Sequence, residues 1–119
     1  DEVYLFAACD NGEDAEALGR FFEGGTTLET AVSGRKVYFF PPPVNKGAAL
    51  RRLKGKFLPG KTISAGDSVI DLPMLRAADI AIVPDARMMP EGGSNIMCLP
   101  GGTERFSDFV LESVLGELR

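Results

Sequence analysis

Histidine is absent from the 119 residues. Its absence excludes Ser-His-Asp and Cys-His nucleophilic chemistry, histidine metal sites and a histidine general base within this chain. Cysteine is scarce: Cys9 and Cys98 stand far apart, each inside an apolar run. Two such residues are expected as buried core thiols rather than a disulfide framework, which suits a reducing, cytoplasmic setting. They cannot build a structural zinc site without other ligands. No apolar stretch approaches the roughly 20 residues of a membrane span. No basic leader precedes an apolar segment, as a signal peptide would need. Basic charge is short too: 13 Lys and Arg residues face 17 Asp and Glu, for a formal charge of −4 and a pI near 4.8. The clustered positive charge of nucleic-acid binding is therefore not expected. Carboxylates, lysines, hydroxyls and backbone amides remain for chemistry.

What is present is enough for one domain, with little to spare. Hydrophobic residues make up 45% and charged residues 25%, a soluble globular balance. The chain starts at Asp1 and enters an apolar run almost at once, which reads as a processed or artificial boundary rather than a natural start. Val3–Cys9 is an apolar run of strand length, closed by the turn Asp10-Asn11-Gly12. Glu13–Glu23 reads as a helix with Ala15, Leu18, Phe21 and Phe22 on one face, stopped by Gly24-Gly25. Thr26–Val32 and Lys36–Phe40 read as strands joined into a hairpin at Ser33-Gly34. This first block is β-α-β-β.

Pro41-Pro42-Pro43 breaks the pattern and divides the chain into residues 1–43 and 44–119. Beyond it, Asn45 is an N-cap for a helix over Lys46–Leu53. Strands follow at Lys61–Ala65, Asp79–Val83 and Asn95–Leu99. Helices are expected over Asp71–Ala78, with Pro73 in the first turn, and over Glu104–Leu118. The last helix carries the apolar stripe Phe106, Phe109, Val110, Val114 and Leu118. Short apolar strands alternating with helices predict an α/β fold with a parallel, doubly wound sheet.

The chemistry concentrates in two places. Thr62-Ile63-Ser64-Ala65-Gly66-Asp67-Ser68-Val69-Ile70-Asp71 is a buried strand ending in glycine and aspartate, with a second aspartate four residues on. Ligands of open parallel sheets bind beyond the carboxyl ends of strands, which is where Asp67 falls. Two carboxylates at such a turn can converge on Mg²⁺, which takes one or two carboxylates and fills its shell with water and phosphate. The plainer alternative is a Gly-Asp turn with Asp71 as a helix N-cap. Lys46, in the first turn of its helix, sits against the macrodipole. It is either a snorkelling surface lysine or one aimed at a phosphate or at a carboxylate.

Asn45-Lys46-Gly47 opening a helix, followed 21 residues later by Gly66-Asp67-Ser68-x-x-Asp71-Leu72-Pro73-Met74-Leu75, resembles the haloacid dehalogenase superfamily of phosphatases. It is most similar to the branch with an inserted α/β cap that includes sucrose-phosphate and mannosyl-3-phosphoglycerate phosphatases. The resemblance covers Val44–Arg119 and implies the C-terminal part of a Rossmannoid core. The first block is similar in its β-α-β-β order to the end of that cap. The resemblance implies that Lys46 neutralises the nucleophile and the phosphoryl group, and that Asp67 coordinates Mg²⁺. It implies that Asp71 binds the metal through water or holds the lysine, and that Ser68 and Asn45 contact the phosphate region. The implied substrate is a small phosphorylated metabolite, of the sugar-phosphate kind.

Three features depart from the family. Ile70 stands where many relatives have Asn. Ala81-Ile82-Val83-Pro84-Asp85 replaces the usual run after the next strand and looks closer to the mannosyl-phosphoglycerate type. The Asp-x-Asp-x-Thr nucleophile motif is missing: Cys9-Asp10-Asn11-Gly12-Glu13 has Gly12 where the second aspartate belongs, and Asp10 lies only 36 residues before Lys46. Asp10 is read as a turn residue. Nucleophile, general acid and the hydroxyl ligand are then expected upstream of Asp1, the chain alone is expected to be inactive, and its half-sheet is expected to self-associate or pair with that segment. A degenerate module that binds Mg²⁺ and a phosphorylated ligand without turnover is the competing reading. A receiver-like signalling domain needs its acidic pair and lysine in a different order. Gly92-Gly93-Ser94 and Gly101-Gly102-Thr103 are taken as loop and cap glycines, and Met88-Met89 as a partly covered loop. Arg35, Lys36, Arg51, Arg52, Lys54 and Lys56 are taken as a solvated face.

Overall fold

A computed structural model describes residues 6–9, 12–23, 25, 27–42, 44–101 and 104–119. Expectations for Val3, Asp10, Gly24, Thr26, Pro43, Gly102 and Thr103, and for the side chains of Cys9 and Phe22, lie outside the described residues. The chain is mixed α/β. In order it runs β1 (Phe6–Cys9), α1 (Gly12–Glu23), β2 (Glu29–Ser33), β3 (Lys36–Phe40), α2 (Lys46–Phe57), β4 (Ile63–Ala65), α3 (Leu72–Ala77), β5 (Ile80–Val83), β6 (Ile96–Cys98) and α4 (Phe106–Glu117). Short 3₁₀ turns at Val69–Asp71 and Ala86–Met88 precede α3 and follow β5. No helix among the described residues is long and apolar enough to cross a membrane.

Two three-stranded sheets form. The first has order β1-β3-β2 and is antiparallel throughout. Its hairpin closes at Gly34-Arg35, with Ser33 opposite Lys36. Gly34 takes φ 58, the left-handed conformation that a two-residue loop of this kind assigns to glycine. The second sheet, β4-β5-β6, is parallel, as expected. β5 is central, and Ala81, Ile82 and Val83 are all fully buried, since a parallel strand is covered on both faces. Leu75 from α3 joins Ala81, Val83 and Met89 in the core, against Leu72, Met88, Ile96 and Cys98.

Several boundaries and faces differ from expectation. Helix α2 runs four residues past Leu53, because Gly55 is tolerated and Lys54 and Lys56 suit the negative end of the helix. It ends where Leu58 turns left-handed at φ 47 and its N–H reaches the Lys54 carbonyl at 2.9 Å. In α1 the covered positions are Ala15, Leu18 and Gly19, and Phe21 is 76% exposed, since residue 21 is rotated off the 15, 18, 19 face. In α4, Ser113 is buried and Leu118, past the last turn, is 76% exposed. Met89 is a core residue rather than a partly covered loop, because the 3₁₀ turn at Ala86–Met88 folds it inward. Cys98 is half-buried.

A polar staple joins β4 to β5. The Asp79 carboxylate accepts the Thr62 hydroxyl at 2.6 Å, the Thr62 amide at 2.7 Å and the Lys54 ammonium at 3.3 Å. The Thr62 hydroxyl bond is the leading cause that holds this carboxyl at about 2, below its usual 3.8.

Candidate active site

The site begins where β4 ends. Gly66, Asp67 and Ser68 leave the carboxyl end of the strand, and the Val69–Asp71 turn leads into α3. Asp71 is folded back over this loop. One of its carboxylate oxygens accepts the backbone N–H groups of Asp67, at 3.2 Å, and Ser68, at 3.1 Å. The other oxygen accepts the Lys46 ammonium. Asp71 is buried, whereas the Lys46 side chain remains 51% exposed. The pair is therefore anchored on the protein side and open on the cation side, so a ligand can approach Lys46 without displacing Asp71.

Two glycines permit this geometry. A Cβ at position 66 would lie 2.5 Å from the Asp71 Cβ and 2.9 Å from its Oδ2. Any side chain there would push Asp71 off the loop amides. A Cβ at position 47 would lie 2.4 Å from the Pro73 carbonyl oxygen and 2.8 Å from the Pro73 Cβ. Gly47 thus lets the start of α2 touch the first turn of α3, which brings Lys46 to Asp71. Asn45 starts α2 in an extended conformation, with its Oδ1 accepting the Ala48 N–H at 2.8 Å. Its Nδ2 donates to Glu29 of β2 at 3.3 Å. Ser68 shares a hydroxyl–hydroxyl hydrogen bond with Ser33, 3.0 Å long, at the end of β2.

Of the residues singled out from the sequence, Lys46, Asp71 and Ser68 come together, and Asn45 flanks them. Asp67 is exposed, and its carboxylate makes no hydrogen bond or ion pair among the described residues. Both Asp71 oxygens are already occupied, so Asp71 acts here as the lysine's anchor. Mg²⁺ takes one or two carboxylates with water and phosphate completing its shell. Asp67 fits one such position, and no cluster of three acidic or thiol side chains is found among the described residues. Gly47 and Gly66 stand in the sequence motifs without a role assigned to them, and Ser33 and Glu29 were not identified from the sequence as contributors. Their place within the motifs was the available signal for the two glycines; nothing local marks the others. The basic residues Arg51, Arg52 and Lys56 are exposed.

No family model matches the chain, and no curated protein does. Solved structures do. The sucrose-phosphatase from Synechocystis sp. PCC6803, in complex with sucrose and phosphate, superposes with TM-score 0.72 at 17% identity, over 98% of this chain and 52% of that one. A haloacid dehalogenase-like hydrolase from B. subtilis superposes with TM-score 0.66 at 22% identity, over 82% of this chain and 38% of that one. The chain spans about half the length of the sucrose-phosphatase it matches. It has the fold of the haloacid dehalogenase-like phosphatases.

Proposed function

We propose that this chain forms the lysine-and-metal side of a Mg²⁺-dependent phosphatase. Its substrate is a phosphomonoester of a small metabolite, of the sugar-phosphate kind, and its setting is the cytoplasm. The observation that supports this most strongly is the Lys46–Asp71 pair, anchored by loop amides beyond the carboxyl end of β4, with the Asp67 carboxylate exposed beside it.

Phosphoryl transfer asks mainly for positioning and charge neutralisation. Lys46 supplies a cation held in one place by Asp71, able to pair with the phosphoryl oxygens and with a carboxylate nucleophile. Asp67 would hold the divalent ion, which supplies further neutralisation of the phosphoryl charge. Asn45 and Gly47 fix where α2 starts and hence where Lys46 stands. The nucleophilic aspartate, which would carry the phosphoryl group as an aspartyl-phosphate before water releases it, belongs to a segment outside these 119 residues. That segment is the expected partner of β4, whose outer edge is unpaired among the described residues. Self-association through that edge is the expected behaviour without it.

With Mg²⁺ and p-nitrophenyl phosphate, the 119-residue chain is expected to show no turnover. Joined to a segment carrying Asp-x-Asp-x-Thr, it gains turnover, and Lys46→Ala or Asp67→Asn lowers kcat/KM by about 10²–10³-fold. Turnover by the 119-residue chain itself, abolished by Asp67→Asn, would overturn the proposal. The competing reading, a binding module, is favoured by the lack of that motif in this sequence. It predicts Mg²⁺-dependent phosphate binding and no turnover even in the longer protein.

A further inference from the structure

Helix α2 differs from the rest of the molecule in charge. It carries Lys46, Arg51, Arg52, Lys54 and Lys56 and no acidic residue, in a chain whose formal charge is −4. Asp71 answers Lys46. Gly47, Arg51 and Lys54 follow at i, i+4 and i+7, so they share one helix face. That face is turned toward α3. Gly47 stands against Pro73, and the Lys54 ammonium donates to the Ala77 carbonyl at 3.4 Å. A cavity of about 650 Å³ lies along this contact, lined by Arg51, Lys54, Pro73, Arg76 and Ala77.

Three cations thus line one cavity, and only two carboxylates answer them. Lys54 pairs with Asp79 at 3.3 Å. The Arg76 Nε donates to Glu91 at 2.8 Å, which leaves the terminal N–H groups of that guanidinium without a partner among the described residues. Arg51 is exposed and makes no hydrogen bond or ion pair among the described residues. A guanidinium presents its N–H groups as a fork that fits a phosphate two bonds at a time. Two such forks on one cavity suit an anion with two charged groups. The cavity is also separate from the Lys46–Asp71 loop. Arg51 stands five residues beyond Lys46, about 7.5 Å along the helix axis and turned about 140° from it.

We propose that the α2–α3 cavity binds a small molecule bearing a diphosphate, held by Arg51 and Arg76 with Lys54 beside them. A diphosphate offers one charged group to each fork, whereas a single phosphate serves only one. The cavity falls within the range of small-molecule sites, about 300–1,000 Å³. Its lining by Pro73 and Ala77 gives the remainder of the ligand an apolar side to rest on. The bound molecule ties α2 to α3, the pair whose contact at Gly47 sets Lys46 against Asp71. A ligand that binds the folded chain alone also stabilises it. The site stands whether or not the phosphatase reading does.

The test is NMR titration of the chain with sodium pyrophosphate, which reads each region through its own signals. The side-chain N–H signals of Arg51 and Arg76 are expected to move along one saturating curve, and amide exchange in α2 and α3 is expected to slow. Inorganic phosphate should bind there about tenfold more weakly. Arg51→Ala should weaken pyrophosphate about tenfold. Arg52→Ala removes the same charge outside the cavity and should change affinity less than about twofold. Arg51→Gln serves in place of Arg51→Ala if that chain does not fold. Equal losses in the Arg51 and Arg52 variants would mean diffuse attraction to a basic helix and overturn the inference. So would shifts confined to the Lys46–Asp71 loop, or no saturable shift at Arg51.

Discussion

The parallel and antiparallel sheets bury their strands in different ways. In β5 three successive residues, Ala81, Ile82 and Val83, are fully buried. In β3 burial alternates: Val37 and Phe39 are buried, Tyr38 and Phe40 half-buried. A strand covered on both faces has no side chain left for a ligand, so the chemistry of this sheet falls to a loop beyond a strand end, here the loop after β4 that carries Asp67, Ser68 and Asp71. A strand covered on one face has a whole row left over, and here that row adjoins the loop. The parallel sheet can hold charge at one point, and the antiparallel sheet can offer a surface.

The largest expected effect lies in the parallel half. Leu75→Ala empties the centre of the core shared by α3 and β5 and should cost about 2–5 kcal/mol in urea unfolding. A cost under about 1 kcal/mol would mean that the parallel core is not where stability resides. A second, intermediate effect concerns pH. The Asp79 carboxyl is held at about 2 when folded, against 3.8 ordinarily. A group with a depressed folded pKa contributes its stability fully above the ordinary value and loses it as pH falls toward the folded one. Stability should therefore decline from pH 3.8 down to about 2 through this group. An Asp79→Asn chain should be weaker at neutral pH and flatter over that interval, as thermal melts at stepped pH would show. An unchanged slope would remove Asp79 from the account. The smallest effect is expected where the two sheets meet. Ser33→Ala removes the hydroxyl bond to Ser68 at a cost of about 1 kcal/mol or less. Hydrogen exchange should quicken in the β2–β3 hairpin and stay unchanged in β5. Faster exchange in both would show that the sheets unfold as one unit.

Much of the fold was legible because the signals were local. Apolar runs of four residues marked β3 and β5, the Gly66-Asp67 turn marked the end of β4, and Asn45 marked the start of α2 by its capping chemistry. The Lys46–Asp71 encounter was within reach too, as a cation against a helix dipole and a carboxylate beyond a strand. Its mechanism was not. Gly47 and Gly66 act by having no side chain, and what they make room for, Pro73 and Asp71, becomes visible only once the helices are packed. The end of α2 was misjudged because Gly55 costs a helix only about 1 kcal/mol, which favourable lysines in the last turn offset. Phe21 was misjudged because a long aromatic was counted on a face from which the helix rotates it by more than a quarter turn. Ser33 and Glu29 were invisible, since a hydroxyl and a carboxylate in a hairpin carry no mark of what they will meet.

One consequence of the Lys46–Asp71 pair concerns disorder. A free lysine side chain carries about 2 kcal/mol of rotamer entropy, which a ligand must ordinarily suppress on arrival. Here the α carbon is fixed in the first turn of α2 and the ammonium is tied to a carboxylate that two amides hold still. The lysine is ordered when the chain folds, so a phosphate meets a charge that already has an address. The same tether limits reach: Lys46 serves ligands that come to it and does not swing out to collect them.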